Sequence, residues 1–316
     1  MNLFTTIKGS LMEQYLPKGW DLEKLAEIAN LDAKEVTKRQ DFWHDQFNPV
    51  GCRDIYQFNT LMGHEIATQI KEARDRGEKL AMILPVGPMG MYEWAVFFLK
   101  SWGVSADHVY TFPMDEWSDR EGNTLSPTNP GSFQYGLENA LFKPLGELTV
   151  PEEQRFYATK ETLPKYAEEI KNIKDEGGKL VVVYGIGRVF HIAFWEPQFA
   201  EEYASEEDWK KDTHRIAANL HPLTIEQNAL TSFKSNTTAV PCFSNTIGPG
   251  LFLQADYAIG GADGVFGRGM MWQGLSLRTT FRYGPDIWVP SSFMPTIPGK
   301  LFYLEELAGS LQADLN

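Results

Sequence analysis

Two cysteines, Cys52 and Cys242, are all that the 316 residues contain. That number cannot build a disulfide framework, and although a single bridge stays open, both positions read as ordinary buried thiols in a reducing compartment. Apolar runs are also short: none approaches the ~20 residues of a membrane span. The opening MNLFTTIKGSLMEQYLPKGW lacks the charged-then-apolar order of a signal peptide. A cytoplasmic protein with no membrane partner is expected. Positive charge is scarce, with 29 Lys and Arg against 42 Asp and Glu for a formal net charge of −13, and no Lys/Arg-rich tract interrupts it. Non-specific nucleic-acid affinity rests on clustered cations, so no nucleic-acid partner is expected. An anionic ligand would need local cations or backbone N–H groups working against that overall field. Internal repeats and low-complexity segments are absent too, as is any Pro/Gly/Ser linker long enough to force two independent domains.

What is present is enough apolar residue, 43% of the chain, for a full core, and an alternation of short β-type runs with longer helical ones. That grammar predicts a parallel sheet flanked by helices. Residues 56–79 carry apolar positions at helical spacing and end in a charged, Gly-containing turn before the strand LAMILP (80–85). Helical patterns follow at 90–103, 131–145 and 163–178, with a strand running into a loop at 108–117 and a strand at KLVVV before residue 184. A further strand is expected at QADYAIGG and a helix at RGMMWQGLSLR. The first ~50 residues read as an amphipathic helical accessory, giving an extension over 1–54 and an α/β domain over 55–316.

Ligands of open parallel sheets collect at the carboxyl ends of the strands. Three stretches fall there: LPVGPMG (84–90), FPMDEW (112–117) and GIGRVFHIAFWEP (185–197). The first is either a tight strand-to-helix turn or a place where backbone N–H groups meet an anion, although Pro88 removes one donor and no Ser, Thr, Lys or Arg is present. In the second, only one of Asp115 and Glu116 can face a cleft from extended backbone; acids after strands serve as general bases or as helix caps. In the third, Phe190 stands where a dinucleotide fingerprint needs its third glycine, which argues against a nicotinamide cofactor. His191 and Glu196 read either as a proton-transfer pair or as a hydrogen-bonded strand end. Asp115, His191 and Glu196 are metal-ligand types, but their spacing matches no strong metal motif.

Taken in order, MDEW and HIAFWEP, with LPVGPMG before them and VPCFSNTIGPGLFLQA (240–255) after, resemble the glucosamine-6-phosphate deaminase/isomerase family, which shares its fold with the 6-phosphogluconolactonases. The resemblance spans roughly residues 55 to 308. It implies a doubly wound, mostly parallel, Rossmann-like α/β sheet without a dinucleotide, preceded by the helical extension. It implies aldose-ketose isomerisation of an amino-sugar phosphate with loss of ammonia, in carbohydrate metabolism, with no metal or organic cofactor. By position, Asp115 matches the base that moves a proton between C2 and C1, His191 the group that opens the ring, and Glu196 the carboxylate that supports it. Substrate-binding positions would be Val86, Gly87, Met89, Gly90, Glu116, Arg188 and Arg268. A small-molecule sugar or sugar phosphate is the expected partner, and a homo-oligomer is open because family members often form one.

Departures accompany the matches. The family's Asp-Gly before the histidine is Val189-Phe190 here, and its phosphate-loop hydroxyl residues correspond to Val86 and Met89. Its phosphate-binding lysine falls at Gly267, beside Arg268, and its arginine at Leu230. Either Arg268, His221, Arg188 or Lys234 replaces the missing cations, or the pocket takes an unphosphorylated polyol between aromatic walls such as Trp117, Phe190 and Trp195. A non-catalytic sugar-binding module and a lactonase-like hydrolase are the alternative functions.

Overall fold

The uninterrupted apolar runs LAMIL and LVVV, the pattern of strands covered on both faces, lie at the centre of the molecule. In the computed structural model, which describes residues 6–267 and 269–313, the strands are β1 (Phe47–Cys52), β2 (Leu80–Leu84), β3 (Val109–Pro113), β4 (Asp115–Ser118), β5 (Lys179–Gly185), β6 (His214–Asn219), β7 (Phe243–Ile247), β8 (Tyr257–Ala262), β9 (Val265–Gly267), β10 (Met270–Met271) and β11 (Gly299–Leu304). Six of them form one sheet in the order β1-β11-β8-β5-β2-β3, and every pairing in it is parallel. From β2 the chain passes to β3 on one side and to β5 on the other. The carboxyl ends of β2 and β5 therefore flank the point where the winding direction changes, the usual crevice of such sheets.

Helix Ile55–Arg76 packs on helix Gly90–Trp102. Gly63 allows their approach, since a Cβ there would lie 2.5 Å from both Met91 O and Trp94 Cβ. The helical stretch expected at 131–145 runs as Phe133–Leu137, a wider π turn over Glu138–Phe142, and Lys143–Leu145.

Several expectations need correction. The strand expected to run into a loop over 108–117 is instead followed by a second strand: Met114 donates to Leu84 O at 2.9 Å and accepts from Ile247 N at 2.9 Å, so the chain leaves the main sheet there. It then enters a second, antiparallel sheet, β4-β7-β6. RGMMWQGLSLR is a short strand followed by helix Gly274–Arg282 rather than one helix. The strand Phe47–Cys52 lies within the stretch read as helical extension and pairs along its whole length with β11. Cys242 is exposed, while Cys52 is buried; both are free thiols. Among the described residues no helix is long and apolar enough to cross a membrane.

The N-terminal segment forms helices Leu22–Ala29 and Ala33–Val36, capped by Asp21 and Asp32. The first packs against Gly274–Arg282. Arg278, buried between them, donates to the carbonyls of Leu31 at 2.6 Å and Ala308 at 3.1 Å, spending the polarity of its guanidinium on chain ends that would otherwise lack donors.

Candidate active site

A cavity of about 520 Å³ opens at the carboxyl ends of β2, β3, β5 and β8, within the ~300–1,000 Å³ of small-molecule sites. Asp115, His191, Val86, Gly87 and Met89 all line it. The three stretches expected to converge do converge.

Asp115 is the first residue of β4, where the chain crosses between sheets. Alternation along the strand turns Asp115 into the cavity and Glu116 away from it. Asp115 is 5% exposed, and its carboxylate accepts no hydrogen bond from any described residue. Burial, with the adjacent Glu116 carboxylate adding to it, pushes its carboxyl well above the ordinary aspartate range. Glu116, expected at the substrate, instead clasps the start of the helix at Phe133: it accepts from Ser132 Oγ at 2.8 Å and from the main-chain N–H groups of Phe133 at 3.0 Å, Gln134 at 2.9 Å and Trp117 at 3.0 Å. Burial raises its pKa, and these donors work in the opposite direction.

His191 follows a turn closed by Phe190 N–H to Gly187 O at 3.0 Å and Gly187 N–H to His191 O at 3.0 Å. No helix follows β5 at this turn, so the geometry of a dinucleotide fingerprint is absent as well as its third glycine. The imidazole lies over Gly187, where a Cβ would come within 1.8 Å of Nε2. Behind it, Nδ1 is 3.1 Å from Glu196 Oε2. Glu196 is fully buried and is held by Thr224 Oγ1 at 3.1 Å and by the His221 N–H at 3.2 Å. A carboxylate only accepts, so this contact makes Nδ1 the donor and directs Nε2 to the open side. Thr224, from helix Pro222–Ser232, also lies 3.2 Å from Nδ1. Sequence reasoning missed it, because nothing in HPLTIEQ marks one threonine as the neighbour of a histidine 33 positions away.

Phe190 adopts a left-handed backbone at φ 68°, a conformation that glycine takes without penalty and phenylalanine does not. Its ring is fully buried, at 4.5 Å from Trp20 between ring centroids, in a cluster with Leu25, Ile28, Tyr283 and Val289. Phe190 is therefore not an aromatic wall of the cavity, and neither is Trp195, which packs on Phe199 and Tyr203. Trp117 is one, its ring tilted against Phe194 at 4.8 Å and against Phe133 at 5.2 Å between centroids. Phe233, Phe266 and Trp272 complete the aromatic surface.

The remaining expected binding residues do not gather. Gly90 starts helix Gly90–Trp102 against Asn59 and is not in the lining. Arg188 contributes its main-chain N–H to Gln227 Oε1 at 2.7 Å, but does not line the cavity. Lys234 and His221 are also outside it, and His221 uses Nδ1 to accept from Leu223 N. Arg268 lies outside the described residues. Among the described residues no group of three or more His, Cys, Asp or Glu could hold a metal ion.

No family profile matches the chain. A glucosamine-6-phosphate deaminase of Caenorhabditis elegans is 30% identical over 186 residues, which cover 58% of this chain and 63% of that protein. One from Borrelia garinii is 27% identical over 200 residues, covering 61% and 67%. The match to the first thus spans less than two thirds of the relative's length. Among solved structures, a monomeric glucosamine-6-phosphate deaminase superposes with a TM-score of 0.65 at 18% identity, covering 82% of this chain and 98% of that one. A 6-phosphogluconolactonase from Plasmodium vivax superposes with a TM-score of 0.54 at 17% identity, covering 89% and 95%. The chain is similar in sequence to glucosamine-6-phosphate deaminases, and its α/β fold is that of a solved glucosamine-6-phosphate deaminase and of solved 6-phosphogluconolactonases.

Proposed function

We propose that the protein is a sugar isomerase of the deaminase type, moving a proton between C2 and C1 of an open-chain aldose. The observation that carries this reading is the meeting of an unpartnered buried carboxylate, Asp115, with a carboxylate-backed imidazole, His191, in one cavity. Opening the ring requires a proton to leave the C1 hydroxyl and another to reach the ring oxygen, a transfer suited to Nε2 of His191 while Glu196 holds Nδ1. In the aldehyde the C2–H is acidified by the neighbouring carbonyl. The Asp115 carboxylate takes that proton to give an enediolate or its enaminol counterpart, and returns it to C1 while the O2–H or N–H proton at C2 passes to O1. Where C2 bears an amine, the product is a ketimine, and addition of water releases ammonia and the ketose.

A raised pKa makes the Asp115 carboxylate a stronger base once ionised, and the aromatic walls keep bulk water from competing for the proton. The resemblance around His191 and the relatives' named activity support the reading. Asp115→Asn tests it: loss of ketose formation by about 10²-fold or more, with sugar binding retained, is the expected result. Turnover that survives the substitution would remove Asp115 from the chemistry. Acid release from a sugar lactone that requires His191 but not Asp115 would move the protein to the hydrolase reading.

A further inference from the structure

The lining of the cavity has a charge character that the proposed reaction does not require. Among the described residues, no lysine or arginine reaches it, and two aspartates do, Asp115 and Asp263. Asp263 follows β8, on the opposite side of β5 from β2. The one hydrogen bond to its carboxylate comes from its own main-chain N–H, and burial raises its pKa. The Asp115 carboxylate has no donor among the described residues. An Asp115 carboxylate without a donor and an Asp263 carboxylate bonded only to its own N–H belong to the lining of one cavity, and a ligand there can supply donors to both.

The end where a phosphate ester would enter is apolar. Val86 and Met89 turn toward Gly136, such that a Cβ on that glycine would sit 3.2 Å from Val86 Cγ1 and 3.6 Å from Met89 Cε. Pro88 gives no N–H, and Met89, which precedes the helix, makes no side-chain cap. A phosphate dianion would meet methyl groups at this loop and carboxylates across the cavity, with no described cation to offset either. A neutral or amine-bearing polyol instead offers O–H and N–H donors to both aspartates and C–H faces to Trp117, Phe194 and Trp272.

We propose that the substrate is a sugar without a phosphate ester, and that Asp263 determines this specificity by accepting hydrogen bonds from its hydroxyl or ammonium groups. The proposal rests on the sugar-isomerase reading and deepens it. It assigns Asp263 a role separate from proton transfer and carries no requirement for Arg268.

The test is isothermal titration of the full chain with glucosamine and glucosamine 6-phosphate, and with glucose and glucose 6-phosphate, repeated on Asp263→Asn and Asp263→Ala. The expected result is that an unphosphorylated sugar binds at least about tenfold more tightly than its ester. Both variants should lose about tenfold or more for that sugar, since hydrogen bonds to a charged acceptor have that weight. Loss restricted to glucosamine would identify the ammonium group as the donor, and loss for both sugars the hydroxyls. Tighter binding of either ester, affinity unchanged in both Asp263 variants, or binding of none of the four would each overturn the proposal. Solvent-deuterium exchange into the bound sugar separates the two readings. Binding of an unphosphorylated sugar without exchange sinks the isomerase reading alone; exchange into an ester alone sinks the specificity proposal.

Discussion

Gly187 lies beneath the imidazole of His191, and its own backbone lies outside the left-handed region. Alanine is therefore tolerated by the chain at this position and refused by the ring. Gly187→Ala should displace the imidazole from Glu196 while leaving the turn intact. A displacement on the order of 1 Å in a reacting group costs about 10²-fold in rate, so the variant should keep its melting temperature and lose that much kcat in ketose formation; unchanged kcat would show that the ring position is not critical. The same contact accounts for the glycine of GIGRVF, which sequence alone reads as a fragment of a nucleotide-binding turn. Glu116 shows the opposite limit of sequence reading. MDEW places two acids side by side, and only the pleat, with Glu116 taken up by three donors at the start of a helix and by the Trp117 N–H, assigns the cavity to Asp115. Because Glu116 also raises the pKa of Asp115, Glu116→Gln should move the Asp115-dependent limb of the pH–rate profile to lower pH. A limb that moves upward or stays fixed contradicts that coupling.

At the scale of elements, the N-terminal helices and the segment 283–291 enclose the loop that carries His191. Trp20 packs on Phe190 and donates from Nε1 to Trp288 O at 2.9 Å, and Ser291 N–H donates to Phe190 O at 2.8 Å. A left-handed phenylalanine immediately before the imidazole costs about 1 kcal/mol or more, and burial of its ring offsets that cost. Trp20→Ala should thus lower stability by up to about 3 kcal/mol and raise amide exchange in residues 187–193; loss of stability without faster exchange there would separate the helices from the loop. The central elements were legible because LAMIL and LVVV have no other use than a covered parallel strand. The edge strand β1 was not, because Pro49 and Gly51 interrupt it and its middle is only partly buried. Its partner β11 closes the chain after irregular sequence, where periodicity gives no signal. The second sheet was illegible for another reason: a single residue, Met114, exchanges partners between two sheets, and no local pattern encodes that.

For the whole molecule, proton uptake by the folded state links the site to stability. Folding raises the pKa of Asp115, so between the ordinary aspartate value and the raised one the native state binds more protons than the unfolded chain. Stability attached to this group is fully present at low pH and is lost as pH rises through that window, at about 1.4 kcal/mol per unit of pKa difference. Asp115→Asn removes the loss. The variant should be no more stable than the parent near pH 4 and increasingly more stable toward neutrality, as read by chemical denaturation at several pH values; a constant difference would show that Asp115 ionises normally in the folded protein. Such a cost, carried at the crevice where the sheet changes direction, is what a site retained for chemistry would show.

The proposed mechanism turns on Asp115 carrying a proton between C2 and C1. Its most direct test is incubation of the protein with glucosamine, glucose and their 6-phosphates in D2O, with the sugars followed by NMR for deuterium at C1 of the ketose and C2 of the aldose. Label at these positions is expected with the parent protein and none above background with Asp115→Asn, although the variant still binds the sugar. Label that appears equally with the variant, or sugar bound by the parent with no label at either carbon, would contradict it.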